Sequence, residues 1–208
     1  MKMENNNVIL AGEITSDFQF SHEVFGEKFY FFDLKVNRFS ENFDVLPVLI
    51  SERLVNVKQS AVGATARIEG QLRSYNKQVF EKSHTVISVF VNEIENIDGV
   101  GFYENVVEIQ GFVCKEPIYR KTPLGKDIAD FWLAVNRPYG KSDYIPCIAW
   151  GRDAIFMGSQ QIGTEIKVTG RFQSREYNKR IGEDLFETRT AYELSVQKLE
   201  VVNNECED

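Results

Sequence analysis

The sequence predicts a mainly all-β chain of two tandem five-stranded barrels, each carrying one short helix. Three observations predict it. The chain is written twice, its segments alternate polar and apolar residues with the period of a strand, and its composition favours pleated surfaces. Aromatic residues make up 12% of the 208, with 16 Phe, and flat side chains pack well on sheets.

The repeat appears when the sequence is shifted by 99 positions. Asn6 then meets Asn105, Gly12 meets Gly111, Gly26 meets Gly125, Phe32 meets Phe131, Pro47 meets Pro146 and Arg53 meets Arg152. "VNR" at 36–38 meets "VNR" at 135–137. One inserted residue later, Gly63 meets Gly163, Gly70 meets Gly170 and Ser74 meets Ser174. Residues 1–97 and 105–203 therefore read as two domains of ordinary size. Residues 98–104 are a connector short enough to make the halves dock, and 204–208 are an acidic tail.

In the second half the elements follow in order. "VVEIQGFV" alternates, and its Gly111 marks a bulge or sharp bend. "IADFWLAVNR" and "DYIPCIAWG" supply the next two strands, "EIKVTGRFQSREYN" the fourth, and "LFETRTAYELSVQKLEVV" the long last one. "RKTPLGKD" and "YNKRIGED" hold the turn residues. "GRDAIFMGSQQIG" is the helical candidate. Five strands with one helix after the third is the order of an OB-fold barrel.

Several function classes are excluded or weakened. His22 and His84 are the only histidines, and neither has metal-ligand spacing around it. Cys114, Cys147 and Cys206 are an odd, widely spaced set without C-x-x-C, which fits a reduced cytoplasm. "PLGKD" lacks the first Gly and the Ser/Thr of a phosphate-binding loop. Asp127 and Asp130, at strand-turn positions, read as solvated. No catalytic residue, metal or cofactor is expected, and no stretch reaches the roughly 18 apolar residues of a membrane helix. Net charge is −7, but residues 105–203 carry net +1, so overall acidity says little about a local groove.

One stretch stands out for chemistry. Between Phe131 and Gly151, Trp132, Tyr139, Tyr144 and Trp150 lie among Arg137, Lys141 and, just beyond, Arg152. Stacking platforms beside a cationic path are what hold unpaired nucleotides, because every base has a π face and every link a phosphate. Period two puts Tyr144, Pro146, Ile148 and Trp150 on one strand face and leaves Cys147 and Ala149 to fill the barrel. Trp150 as plain core is the competing reading. Trp132 alternates with Phe131 and Leu133, so it faces away from the interior and either stacks a base or fills an interface between barrels.

"NVVEIQGFV", "EPIYRKTPLGKDIADFWLAVNR", "DYIPCIAWGRDA" and "IGTEIKVTGRFQSREYNKRIGEDLFETRTAYEL" resemble the bacterial single-stranded DNA-binding protein family, from about Asn105 to Val202. The first half resembles it only through the repeat. The resemblance implies OB-folds that coat single-stranded DNA in replication, recombination or repair. It implies base-stacking roles for Tyr144, Trp150 and Tyr177, with Tyr139 close to a fourth such position. Arg120, Lys121, Lys126, Arg137, Lys141, Arg152, Arg171, Arg175, Lys179, Arg180 and Arg189 form the pool of phosphate contacts. The family's usual four OB-folds imply a homodimer here. The family's partner-recruiting tip has a long linker and a hydrophobic anchor; "VVNNECED" has neither, so recruitment through it is not expected.

The first half departs from that pattern: Val45 stands at the Tyr144 position and Ser51 at the Trp150 position. Phe39, Phe43, Tyr75 and Phe80 are candidate substitutes, while Phe29, Phe31 and Phe32 read as core and interface. Weaker or rerouted binding is expected there, or a structural role. Two alternatives stay open for the whole chain: a protein-interaction module of a replication or recombination complex, and a binder of single-stranded RNA, since no residue obviously reads a 2′-hydroxyl.

Overall fold

Alternating burial carries the chain through twelve strands, seen in a computed structural model that describes residues 5–79, 82–97, 103–182 and 185–202. Phe80, most of the 98–104 connector and the 204–208 tail lie outside the described residues. The first repeat holds β1 (Asn6–Ile14), β2 (Gln19–Val24), β3 (Glu27–Asn37), β4 (Phe43–Ser51), β5 (Thr65–Val79) and β6 (Lys82–Asn96). The second holds β7 (Glu104–Val113), β8 (Ile118–Lys121), β9 (Asp127–Arg137), β10 (Lys141–Trp150), β11 (Glu165–Arg180) and β12 (Phe186–Val201), with α1 (Arg152–Met157) after β10.

Each repeat closes on itself. β1 pairs with β3, β3 with β4, β4 with β6, β6 with β5 and β5 again with β1. β7, β9, β10, β12 and β11 form the same ring. In both rings the β4–β6 type of contact is the one parallel pairing. Short β2 and β8 pair only with β3 and β9, outside the rings; they are the sixth strand that the count of five did not include.

Inward positions make the core. Leu34, Leu46, Val48, Leu72 and Val89 fill the first barrel, and Phe131, Leu133, Ile145, Cys147, Ala149, Phe172 and Leu194 the second, all buried. Each large apolar side chain removed from water contributes about 1.5–3 kcal/mol. Barrel closure also needs strands that approach each other without side chains between them. At Gly70 and Gly170 the strand register shifts, and a Cβ there would collide with the carbonyl oxygen of Phe90 or Ser195. Gly70 and Gly170 are thus bulge positions, while at Gly12 and Gly111 a Cβ would meet the carbonyl oxygens of Lys35 and Ala134.

The expected helix forms in the second repeat only. There Ala154 and Met157, three apart on one face, are both buried and both are good helix formers. In the first repeat, 52–63 is a series of turns. Val55 and Val57 are stiff at χ1, and Asn56 and Ser60 offer the backbone local partners: Asn56 Oδ1 accepts the Lys58 N–H at 3.3 Å and Ser60 Oγ accepts that of Val62 at 3.4 Å. Such bonds compete with helix.

The two barrels form one sheet. β1 and β7 run antiparallel from Asn6↔Ile109 to Ala11↔Glu104. A second link comes from buried Asp44, whose carboxylate accepts the Ser174 backbone N–H at 2.8 Å and hydroxyl at 3.1 Å. Arg38 donates to the same carboxylate at 2.6 and 2.8 Å. The guanidinium pKa is raised, first by that hydrogen bond.

Candidate nucleic-acid interface

The β9–β10 register places residues face by face. Inward pairs are Phe131↔Cys147, Leu133↔Ile145 and Ala129↔Ala149; outward pairs are Ile128↔Trp150, Asp130↔Ile148, Trp132↔Pro146 and Ala134↔Tyr144. Trp132, Tyr144 and Trp150 therefore stand together on the outer face. β12 joins β10 in parallel with Ile148 beside Ser195, and β11 continues it: Arg171 faces Ser195, Gln173 faces Glu193, Arg175 faces Ala191, Tyr177 faces Arg189 and Lys179 faces Glu187. One outer surface thus runs from Trp132 through Tyr144 and Trp150 to the β11–β12 hairpin and Tyr177.

The rings on it are open to solvent. Tyr144 is 48% exposed, Trp150 43% and Tyr177 39%. Trp150 is no core residue; its indole Nε1–H donates to Ser195 Oγ at 3.2 Å, which fixes the ring while leaving a face free. Trp132 is half-buried, with the Lys115 ammonium 4.2 Å from its ring centroid. Tyr139 is fully exposed in the turn Pro138–Gly140. Its φ of 65° and ψ of 31° are left-handed values, uncommon outside glycine.

The cations divide. Among the described residues, Lys141, Arg152 and Lys179 are exposed or half-exposed and make no ion pair. Arg171 makes only a 3.2 Å hydrogen bond to Gln173. Arg137 is committed inward: its Nε lies 3.1 Å from buried Asp143. Arg175 lies 3.3 Å from the nearly buried Glu193 and 6.0 Å from the Tyr177 ring. Arg120 and Lys121 pair with Asp130 and Asp127 at 2.8 and 3.8 Å, so these two aspartates, read as solvated, are ion-paired. Arg189 pairs with Glu187 at 2.6 Å. Ser195, Lys115 and Glu193 carry no signal in the sequence, because their contacts depend on which strands lie side by side.

In the first repeat the corresponding face carries other rings. Phe32 is core, but Phe29 and Phe31 stand outward on β3 opposite Ser51 and Leu49. Phe43 and Tyr75 are exposed on the same face, and Phe39 is wholly exposed in the loop before β4.

Known proteins resemble this chain in sequence and in fold. Residues 104–202 match the "Single-strand binding protein family" model. Single-stranded DNA-binding protein 2 of Listeria monocytogenes is 36% identical over 110 residues, half of this chain and 68% of that protein. The chain belongs to the single-strand binding protein family. Single-stranded DNA-binding protein A of Bacillus subtilis, another relative within the single-strand binding family, is 37% identical over 106 residues, 48% of this chain and 61% of its own length. The chain thus spans about two thirds of these relatives. The fold as a whole is like that of the single-stranded DNA binding protein from Thermus aquaticus, with a TM-score of 0.74 and 21% identity over 95% of this chain and 93% of that one. Both barrels of this single-strand binding family member therefore fall within one known architecture. No helix among the described residues is long and apolar enough to cross a membrane.

Proposed function

We propose that the chain binds single-stranded DNA without catalysis and with little sequence preference, in replication, recombination or repair. Bases stack on Tyr144, Trp150 and Tyr177, with Tyr139 and Trp132 at the margins. Phosphates follow Lys141, Arg152, Lys179 and Arg171, with Arg175 and Arg137 set behind them. The observation that carries this reading is the single outer face shared by Trp132, Tyr144, Trp150 and Tyr177. It is the strand 2–3 face and β-hairpin region with which OB-folds hold oligonucleotides. Two chains together supply four barrels in a cytoplasmic homodimer.

Titration with oligo-dT, followed by tryptophan emission, tests it. Quenching is expected, with an affinity that falls as salt rises. Absence of quenching and of any mobility shift at low salt, from folded protein, overturns it. Matched DNA and RNA oligomers in competition test the preference for DNA.

A further inference from the structure

In the second repeat, Trp150 at the end of β10 donates to Ser195 on β12. In the first repeat the partners have changed strands. Ser51 stands at the Trp150 position, and the β4–β6 register, Leu49↔Phe90, matches Ile148↔Ser195. Phe90 thus takes the Ser195 position. The aromatic ring is on the neighbouring strand, over the same part of the barrel.

Around Phe90 the outer face is furnished like a stacking surface. The Phe29 ring centroid is 5.8 Å away, and the Arg73 guanidinium is 6.0 Å from the Phe90 ring. The Lys35 ammonium sits 4.8 Å from the Phe43 centroid. Phe43 is 52% exposed and Tyr75 46%, an unusual use of large apolar rings on a surface. Register puts all of them, with Lys77, on one side of β3, β4, β6 and β5. The two repeats meet beside this face: Arg73, two residues from Tyr75 on β5, lies 3.0 Å from Asp143 of β10, and Ser74 accepts the Tyr144 backbone N–H at 2.7 Å.

We propose that the first repeat binds the same DNA strand on this face, with Phe90, Phe43 and Tyr75 as ring platforms and Lys35 and Lys77 along the phosphates, while Arg73 stays set behind them on Asp143. This rests on the reading of the second repeat as a single-stranded-DNA binder. Rings paired with cations favour a polyanion carrying flat bases over an apolar protein partner. The loss of Tyr and Trp at positions 45 and 51 is therefore a relocation of the stacking surface.

The full-length chain tests it with two strands. An oligo-dT of about 12 nucleotides suits one OB-fold, and one of about 30 spans both. Phe43→Ala with Tyr75→Ala removes two exposed rings without opening the core. Affinity for the short strand should stay within about twofold, and that for the long strand should drop at least about tenfold. Lys35→Ala should flatten the salt dependence of long-strand binding by about one ion. Photocrosslinking of the long strand, substituted with 5-iododeoxyuridine, should label peptides containing Phe43, Tyr75 or Phe90. Unchanged long-strand affinity in the double variant, with labels confined to the second repeat, overturns the proposal. If Tyr144→Ala with Trp150→Ala also changes neither affinity, the single-stranded-DNA reading itself falls.

Discussion

The carboxylate of Asp143 accepts the backbone N–H of Ser74 at 2.7 Å, a bond from one repeat to the other. Asp143 is fully buried and faces two cations, Arg73 at 3.0 Å and Arg137 at 3.1 Å. Ser74 Oγ in turn accepts the N–H of Tyr144. The relationship is reproduced 99 residues earlier, where Asp44 holds Ser174. Each repeat therefore begins its third ring strand with an aspartate that grips the hairpin strand of the other. Docking of the barrels and placement of Tyr144 are one piece of structure.

Removing that carboxylate leaves a buried donor without a partner and two cations without their counter-charge. Asp143→Ala should cost about 3 kcal/mol of stability, read from urea unfolding at constant slope. Asp143→Asn keeps an acceptor for Ser74 and should cost less. A loss under about 0.5 kcal/mol for the alanine variant would show that β1–β7 pairing alone docks the repeats.

Salt dependence separates the cations that reach DNA from those that brace the fold. Lys141 is exposed and without an ion pair among the described residues, so Lys141→Ala should lower the slope of log affinity against log salt by about one. Arg137→Ala should leave that slope unchanged and lower stability instead, because its partner is buried Asp143. Equal slopes for wild type and Lys141→Ala would remove Lys141 from the strand's path.

Much of this was legible in the sequence. Strict alternation in "DYIPCIAWG" puts Tyr144 and Trp150 outside and Cys147 and Ala149 inside, since a strand has no other choice once one face is buried. The repeat follows from paired glycines, and Gly12, Gly70, Gly111 and Gly170 each lie where another strand's carbonyl leaves no room for a Cβ. What was not legible depends on register between distant strands. That Arg137 turns inward to Asp143, that Trp150 meets Ser195 and that Phe90 replaces it in the first repeat all require knowing which residues face each other. The absent first-repeat helix failed for a different reason: the repeat implied it, and the local residues Val55, Asn56 and Val57 disfavour it.

The close approach at Gly170 should make it intolerant of the smallest side chain. Its added methyl would meet the Ser195 carbonyl, in a backbone segment that also carries the hydroxyl bonded to Trp150. Gly170→Ala should lose about 2–4 kcal/mol and lower DNA affinity with it. Gly125→Ala is the control: nothing lies within 4 Å of a Cβ there, although φ is +76°, so its cost should be about 1 kcal/mol. Similar losses at both positions would mean that strand approach is not what fixes Gly170.

Thiol chemistry should report the second barrel's integrity. Burial pushes the Cys147 thiol well above its ordinary pKa, with the charges of Cys114 and Glu193 adding to it; burial also raises Cys114, which is less enclosed. A raised thiol pKa means less thiolate at a given pH. In a Cys206→Ser background at pH 8, Cys114 should react slowly with a disulfide reagent and Cys147 only after unfolding. Rapid reaction of both in folded protein would contradict a closed barrel.

Trp150 offers the sharpest separation of binding from folding. Its ring is 43% exposed, so little core is lost when it is truncated. Its Nε1–H bond to Ser195 at 3.2 Å orients the indole, and a typical hydrogen bond of this kind contributes about 1 kcal/mol. Trp150→Ala should therefore lower stability by about 1 kcal/mol or less and weaken oligo-dT binding by about 1–3 kcal/mol, the worth of one stacked base. Trp150→Phe keeps a π face and loses only the bond to Ser195, so it should recover most of that affinity. With Trp132→Phe in the background, Trp150 becomes the sole indole, and its emission should be quenched as strand is added. If Trp150→Ala and Trp150→Phe weaken binding equally, the ring holds its strand through Ser195 and not through a base.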